Sequence, residues 1–96
     1  MIESFGDRVT SDLYHGIKSN RVRRLPPQIQ RLVAQRLDIV NAAQEIDDLR
    51  SPPGNRLELL KGKLSGFYSI RINAQWRIIF QWQASNAHNV KLIDYH

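Results

Sequence analysis

Four short, alternating apolar runs fill the second half of the chain: Leu57–Lys61, Gly66–Ile72, Trp76–Gln83 and Asn89–Tyr95. Turn-prone residues separate them, which reads as a meander of strands. Strand parity then decides which side chains share a face, because successive side chains point to opposite sides of a sheet. Tyr68, Ile70 and Ile72 fall on one face, leaving Ser69 and Arg71 opposite; Trp76, Ile78, Phe80 and Trp82 fall on one face, leaving Arg77 and Ile79 opposite. Both apolar sets meet the same core only if the connection is odd in length. A two-residue loop would put Arg71 beside Trp76 and split the core. The three residues Asn73-Ala74-Gln75 therefore form the loop, pairing Ile72 with Trp76 and setting Arg71 and Arg77 side by side on the uncovered face. Two arginines there make an anion platform, and the same parity adds Phe67 to it, as a ring able to stack on a base.

The first half is helical. Val9, Leu13 and Ile17 recur at four-residue spacing within Asp7–Ile17. A stronger stripe, Ile29, Leu32, Val33, Leu37 and Val40, follows Pro26 and Pro27, which suit a helix start. Between them Lys18-Ser19-Asn20-Arg21-Val22-Arg23-Arg24 reads as an exposed cationic loop. Glu45–Leu49 reads as a further short turn, and Ser51-Pro52-Pro53-Gly54-Asn55 ends the helical half. Ile2–Phe5 is short and alternating, an edge or a central strand. The layout is α+β: two or three N-terminal helices on one face of a mostly antiparallel, twisted sheet of four to five strands.

Ninety-six residues make one domain, residues 1–96, with a single core. The formal net charge of +5 favours a polyanionic partner such as nucleic acid. There is no cysteine, hence no disulfide framework or thiolate metal site, and a reducing cytoplasm is the expected compartment. No apolar stretch suits a signal peptide or a membrane span, so no membrane partner is expected.

The chain closes on Asp94-Tyr95-His96. A histidine near Lys61, Arg71 and Arg77 sets a proton donor or acceptor beside cations that stabilise phosphate charge, with Asp94, Tyr95 and Glu58 nearby in the pattern. The other reading of the same residues is a frayed terminal imidazole and arginines that only solubilise the sheet. His15 reads as a surface residue of the first helix. His88 and His96 are too far apart along an extended chain to share an ion, roughly 26 Å. No metal site and no cofactor are expected. Lys18, Arg21, Arg23 and Arg24 read equally as a solvated loop or as a sequence-independent grip on phosphates.

Taken together, "LKG" at Leu60-Lys61-Gly62, "SIRIN-x-QWRI" from Ser69 to Ile78 and the terminal "DYH" at Asp94-Tyr95-His96 resemble the HigB toxins of the RelE superfamily. The likeness covers nearly the whole chain. It implies a bacterial, cytoplasmic toxin that enters the ribosomal A site and cuts mRNA there. The family works without a metal, by attack of the 2′-hydroxyl, and is held inactive by a helix-turn-helix, HigA-like antitoxin encoded beside it. On this resemblance His96 is the general acid, and Tyr95 and Asp94 position the nucleotide or that histidine. Lys61 and Arg77 are the transition-state cations, and Arg71 contacts phosphate. Some relatives carry a histidine where this chain has Glu58, which leaves the general base open among Glu58, Lys61 and the ribosome. The segment Lys18–Arg24 would touch ribosomal RNA as an extension of the family pattern. Two rivals remain: a ParE-like inhibitor of DNA gyrase, against which the terminal histidine and matched cations argue, and an RNA-binding module without catalysis.

Overall fold

Asp7 opens the first helix by accepting a hydrogen bond from the Thr10 N–H at 3.0 Å. The helix, α1 (Arg8–His15), stops at Gly16, whose φ of +72° is left-handed backbone suited to glycine. Ending there, it leaves Ile17 outside the expected stripe and 52% exposed, while Leu13 is buried. In this computed structural model, which describes residues 1–51 and 53–95, α1 is followed by α2 (Asn20–Arg23) and α3 (Pro27–Ala42). Pro52, within the expected helix-ending run, and His96 lie outside the described residues.

Pro27 occupies the first turn of α3, as expected, and Ile29, Val33, Leu37 and Val40 form its buried face. Short 3₁₀ turns follow at Ile46–Arg50 and Pro53–Asn55. The cationic segment corrects the loop expectation. Ser19 caps a single helical turn by accepting from the Val22 N–H, and Val22 is buried in the core at 2% exposure. One buried valine among cations has no periodicity to betray it, but its burial is sufficient to order the turn.

The sheet is four-stranded and antiparallel, in the order β1 (Glu58–Leu59), β2 (Tyr68–Arg71), β3 (Trp76–Gln83) and β4 (Asn86–Asp94). β1 and β2 are shorter than their apolar runs, although the Leu60 N–H still bonds the Phe67 carbonyl at 2.8 Å. β4 begins three residues earlier than the sequence suggests. Its hairpin from β3 turns on Ala84 and Ser85, with φ of +52° and +65° and Gln83 paired to Asn86. That conformation favours Asn-Gly, so the residues present do not advertise the turn. The β3–β4 register slips between Ile79 and Gln81, beside Asn89 at φ +54°. This bulge keeps Ala87 and Val90, three residues apart, both in the core. The N-terminal segment lies parallel to the outer edge of β4, bridging Ile2 to Ala87 and Phe5 to Val90.

Beyond that bridge, α1 completes the edge. The Thr10 hydroxyl, fully buried, accepts the Leu92 N–H at 2.9 Å and satisfies a donor that no strand takes. Thr10→Val keeps the shape but leaves that N–H buried and unpaired. It is expected to lower unfolding stability by about 1–3 kcal/mol in urea titration, and an unchanged midpoint would contradict this role.

The core joins Leu13, Val22, Ile29, Val33, Leu37 and Val40 from the helices to Ile70, Ile78, Phe80 and Val90 from the sheet. Helices therefore cover one face of the sheet, and the α+β layout holds. Among the described residues no helix is long and apolar enough to cross a membrane.

Candidate active site

The β2–β3 register pairs Ile70 with Ile78 and Arg71 with Arg77, and the Ile72 N–H bonds the Trp76 carbonyl at 2.9 Å. The odd connection is thus present, and the two guanidinium groups project from directly opposed positions. Like charges so placed oppose sheet formation, so an anion between them would relieve the strand pair. Arg77 also carries a buried Nη1 with no hydrogen-bond partner among the described residues. A buried guanidinium N–H without an acceptor is unfavourable by itself.

The face that carries this pair is not open, which corrects the expectation drawn from parity alone. Ser69 is fully buried and Ile79 is 2% exposed, while Arg71, Arg77 and Phe67 are half-buried. In the register Ile79 is flanked by Ser69 and Lys91, and Arg77 by Arg71 and Ile93, which sets long side chains beside the short ones on this face. The C-terminal backbone adds to the cover, since the Tyr95 ring lies over the Arg77 guanidinium at 4.4 Å from its centroid. Phe67 is not among the residues packed on the helix-side core, in agreement with its parity.

A cleft of about 400 Å³ is lined by Glu58, Leu59, Leu60, Lys61, Leu64 and Tyr95. Glu58 stands opposite Ser69 on β1, and Lys61 precedes the 3₁₀ turn Gly62–Leu64. Gly62 adopts φ +69° immediately after Lys61, a backbone shape that a side chain would strain, with open space where its Cβ would be. The glycine of the "LKG" run thus bends the chain directly beyond the lysine. β1 and β4 lie on opposite edges of the sheet, and Tyr95, the residue after β4, meets the β1 segment at this cleft. Glu58, Lys61 and Tyr95 are all exposed, as is Asp94, whose Oδ2 accepts from Gln75 Nε2 at 3.2 Å. His96 lies outside the described residues. The structure brings Glu58, Lys61 and Tyr95 into one cleft, and Tyr95 brings Arg77 to it with Arg71 alongside.

The cationic segment lies elsewhere and divides by role. Arg21 donates to Asp12 at 3.1 Å. Asp12 is buried at 5% exposure, and its carboxyl is held below the usual carboxylate range. The Ser19 hydroxyl that hydrogen-bonds it contributes most to that lowering and Arg21 contributes further, while burial acts the other way. Arg21 thus anchors a buried carboxylate while its side chain stays 47% exposed. Lys18 reaches Gln30 at 3.5 Å and, with Arg31, lines a cleft of about 320 Å³ among the helices. Arg23 and Arg24 are exposed. His15 packs edge-on against Tyr14 at 5.2 Å and Phe5 at 5.8 Å, and His88 of β4 stands opposite Gln81 of β3.

Sequence reasoning missed Asn73 and Gln75. Asn73 Oδ1 accepts the N–H groups of Gln75 and Trp76, each at 2.8 Å. An asparagine opening a three-residue turn is a recognised signal for that arrangement.

The class is an α+β fold whose helices cover one face of a four-stranded antiparallel sheet, with the arginine pair on the other face. The fold matches a chain of the YoeB-YefM complex from Staphylococcus aureus with a TM-score of 0.60 and 16% identity, over 100% of this chain and 98% of that one. At such identity the likeness establishes architecture alone. Residues 3–96 match the HigB-like toxins, the RelE-like toxins of the type II toxin-antitoxin system HigB, and the chain belongs to that family. It is 42% identical over 92 residues to Toxin HigB-1 of Vibrio cholerae, covering 96% of this chain and 95% of the relative. It is 33% identical over 97 residues to Endoribonuclease HigB of Proteus vulgaris, covering 100% of each.

Proposed function

We propose that this toxin is an endoribonuclease that cuts mRNA in the ribosomal A site, without a metal or other cofactor. The observation that carries the reading is the Arg71–Arg77 pair. Two opposed cations, one with a buried N–H that has no acceptor among the described residues, adjoin through Tyr95 a cleft that holds Lys61 and Glu58. A phosphodiester supplies the charge and the acceptor oxygens that this arrangement lacks. The relative from Proteus vulgaris carries the name of the same activity.

In this reading the 2′-oxygen forms a bond to the adjacent phosphorus as the bond from phosphorus to the 5′-oxygen breaks. The products are a 2′,3′-cyclic phosphate and a 5′-hydroxyl. Glu58 or Lys61 takes the 2′-hydroxyl proton, and His96 gives a proton to the departing 5′-oxygen. Arg77 and Lys61 stabilise the charge that builds on the phosphate oxygens, and Arg71 holds the phosphate. Tyr95 and Asp94 position the nucleotide or His96, and Phe67 stacks on a base. A helix-turn-helix antitoxin encoded beside the toxin holds it inactive in the bacterial cytoplasm. Mapping mRNA 5′ ends after brief induction tests the reading. Cleavage sites within translated frames support it, and intact mRNA beside inhibited DNA gyrase would replace it with a ParE-like activity.

Arg23 and Arg24 remain as the contacts to ribosomal RNA. Neutralising both is expected to weaken ribosome association and reduce its salt dependence by about two counterions' worth of slope. Binding curves at several salt concentrations that superimpose on wild type would return these residues to solvent.

A further inference from the structure

The turn between β2 and β3 is built as a seat for the residues that follow β4. Asn73 Oδ1 takes the N–H groups of both Gln75 and Trp76, which holds the connection in one shape. The last turn residue, Gln75, then meets the C-terminal segment with two groups. Its main-chain carbonyl accepts the Tyr95 N–H at 2.6 Å, one residue beyond the end of the strand. Its side-chain Nε2 donates to Asp94 Oδ2 at 3.2 Å. The Tyr95 ring, held by its backbone in this way, covers the Arg77 guanidinium at 4.4 Å. Arg77 lies two residues after Gln75, so one turn fixes the arginine, the ring stacked on it and the neighbouring carboxylate.

We propose that this turn is a positioning device for the catalytic cleft, with Gln75 the residue that ties Asp94 and Tyr95 to it; the inference rests on the phosphodiester-cleaving reading. Gln75 is itself exposed and contributes nothing to the buried core. Its amide is a donor aimed at a carboxylate, so the property to be tested is donation rather than bulk. A donor at this position keeps the Asp94 carboxylate against the turn. Without one, the carboxylate loses its tie to the turn while the Tyr95 N–H stays on the Gln75 carbonyl, and misplacement of reacting groups on the ångström scale slows chemistry without weakening binding.

The test is single-turnover cleavage of ribosome-bound mRNA by wild type, Gln75→Ala, Gln75→Glu and Gln75→Lys, with ribosome affinity and melting temperature measured for each. Gln75→Ala is expected to cleave about 10-fold more slowly at saturating ribosome, with affinity and melting temperature unchanged. Gln75→Glu, which sets a carboxylate against Asp94, is expected to be slower still, and Gln75→Lys, which restores a donor, to come within about threefold of wild type. Rates that match wild type in all three variants would overturn the inference, as would rates that follow melting temperature rather than the presence of a donor. A wild-type protein that leaves mRNA intact would overturn the nuclease reading itself, an outcome separate from active wild type with indifferent variants.

Discussion

Arg77→Ala is expected to slow single-turnover mRNA cleavage by about 100-fold or more, as for the loss of one oriented charge stabiliser. The size follows from the burial of the site. Arg77 is half-buried, its guanidinium lies against the Tyr95 ring and its Nη1 has no acceptor among the described residues, so its charge is held in place before substrate arrives. Charge fixed in advance needs no reorganisation as the phosphate oxygens become more negative. Stability should move in the opposite sense or hardly at all. Losing the stacked contact removes about 0.5–2 kcal/mol. Relief of the directly opposed Arg71 and of the unpaired N–H returns an amount of similar size. A variant that melts like wild type yet cleaves at the wild-type rate would remove Arg77 from the chemistry. One that unfolds would show that the arginine serves the sheet.

His96→Ala is expected to lose about 10²–10⁴-fold in cleavage while still binding ribosomes. The 5′-oxygen leaves poorly as an alkoxide, and imidazole is the side chain whose ordinary pKa lets it donate a proton near neutrality. The Tyr95 N–H bonds the Gln75 carbonyl, and the substituted position follows this last backbone bond among the described residues. Melting temperature should therefore stay constant. Growth inhibition should be lost with cleavage. Cells still arrested by His96→Ala, with mRNA cut at the same sites, would move the proton donor elsewhere. Arrest without cuts would favour a toxin that acts by binding.

Parity carried the most information from sequence to site. Because the Asn73–Gln75 connection had to be odd, Arg71 and Arg77 were assigned to one face, and the observed register pairs them. Glu58, Lys61 and Tyr95 were linked by their nearness in the strand pattern and by family resemblance, and the fold brings them to one cleft. What escaped was set by burial without pattern. Val22 orders a helical turn that four surrounding cations disguise as a loop, and Asp12, buried nearby, pairs with Arg21. Ser69 and Ile79 looked exposed because alternation reports which face a residue occupies, not what its neighbours cover. The Ala84-Ser85 turn and the Asn89 bulge lack the glycines that mark such conformations. Asn73 was legible as a turn former, but its consequence for Tyr95 and Asp94 needed the register of β3 against β4.

The most direct measurement is the chemistry of the cut ends on ribosome-bound mRNA, compared with the same message carrying a single 2′-deoxynucleotide at the scissile position. An internal 2′-oxygen nucleophile aligned on a phosphate held by Arg71, Arg77 and Lys61 predicts a 2′,3′-cyclic phosphate on one fragment, a 5′-hydroxyl on the other, and no cut in the deoxy-substituted message. Cleavage of the deoxy-substituted message at an undiminished rate, or fragments bearing 5′-phosphates, would contradict it.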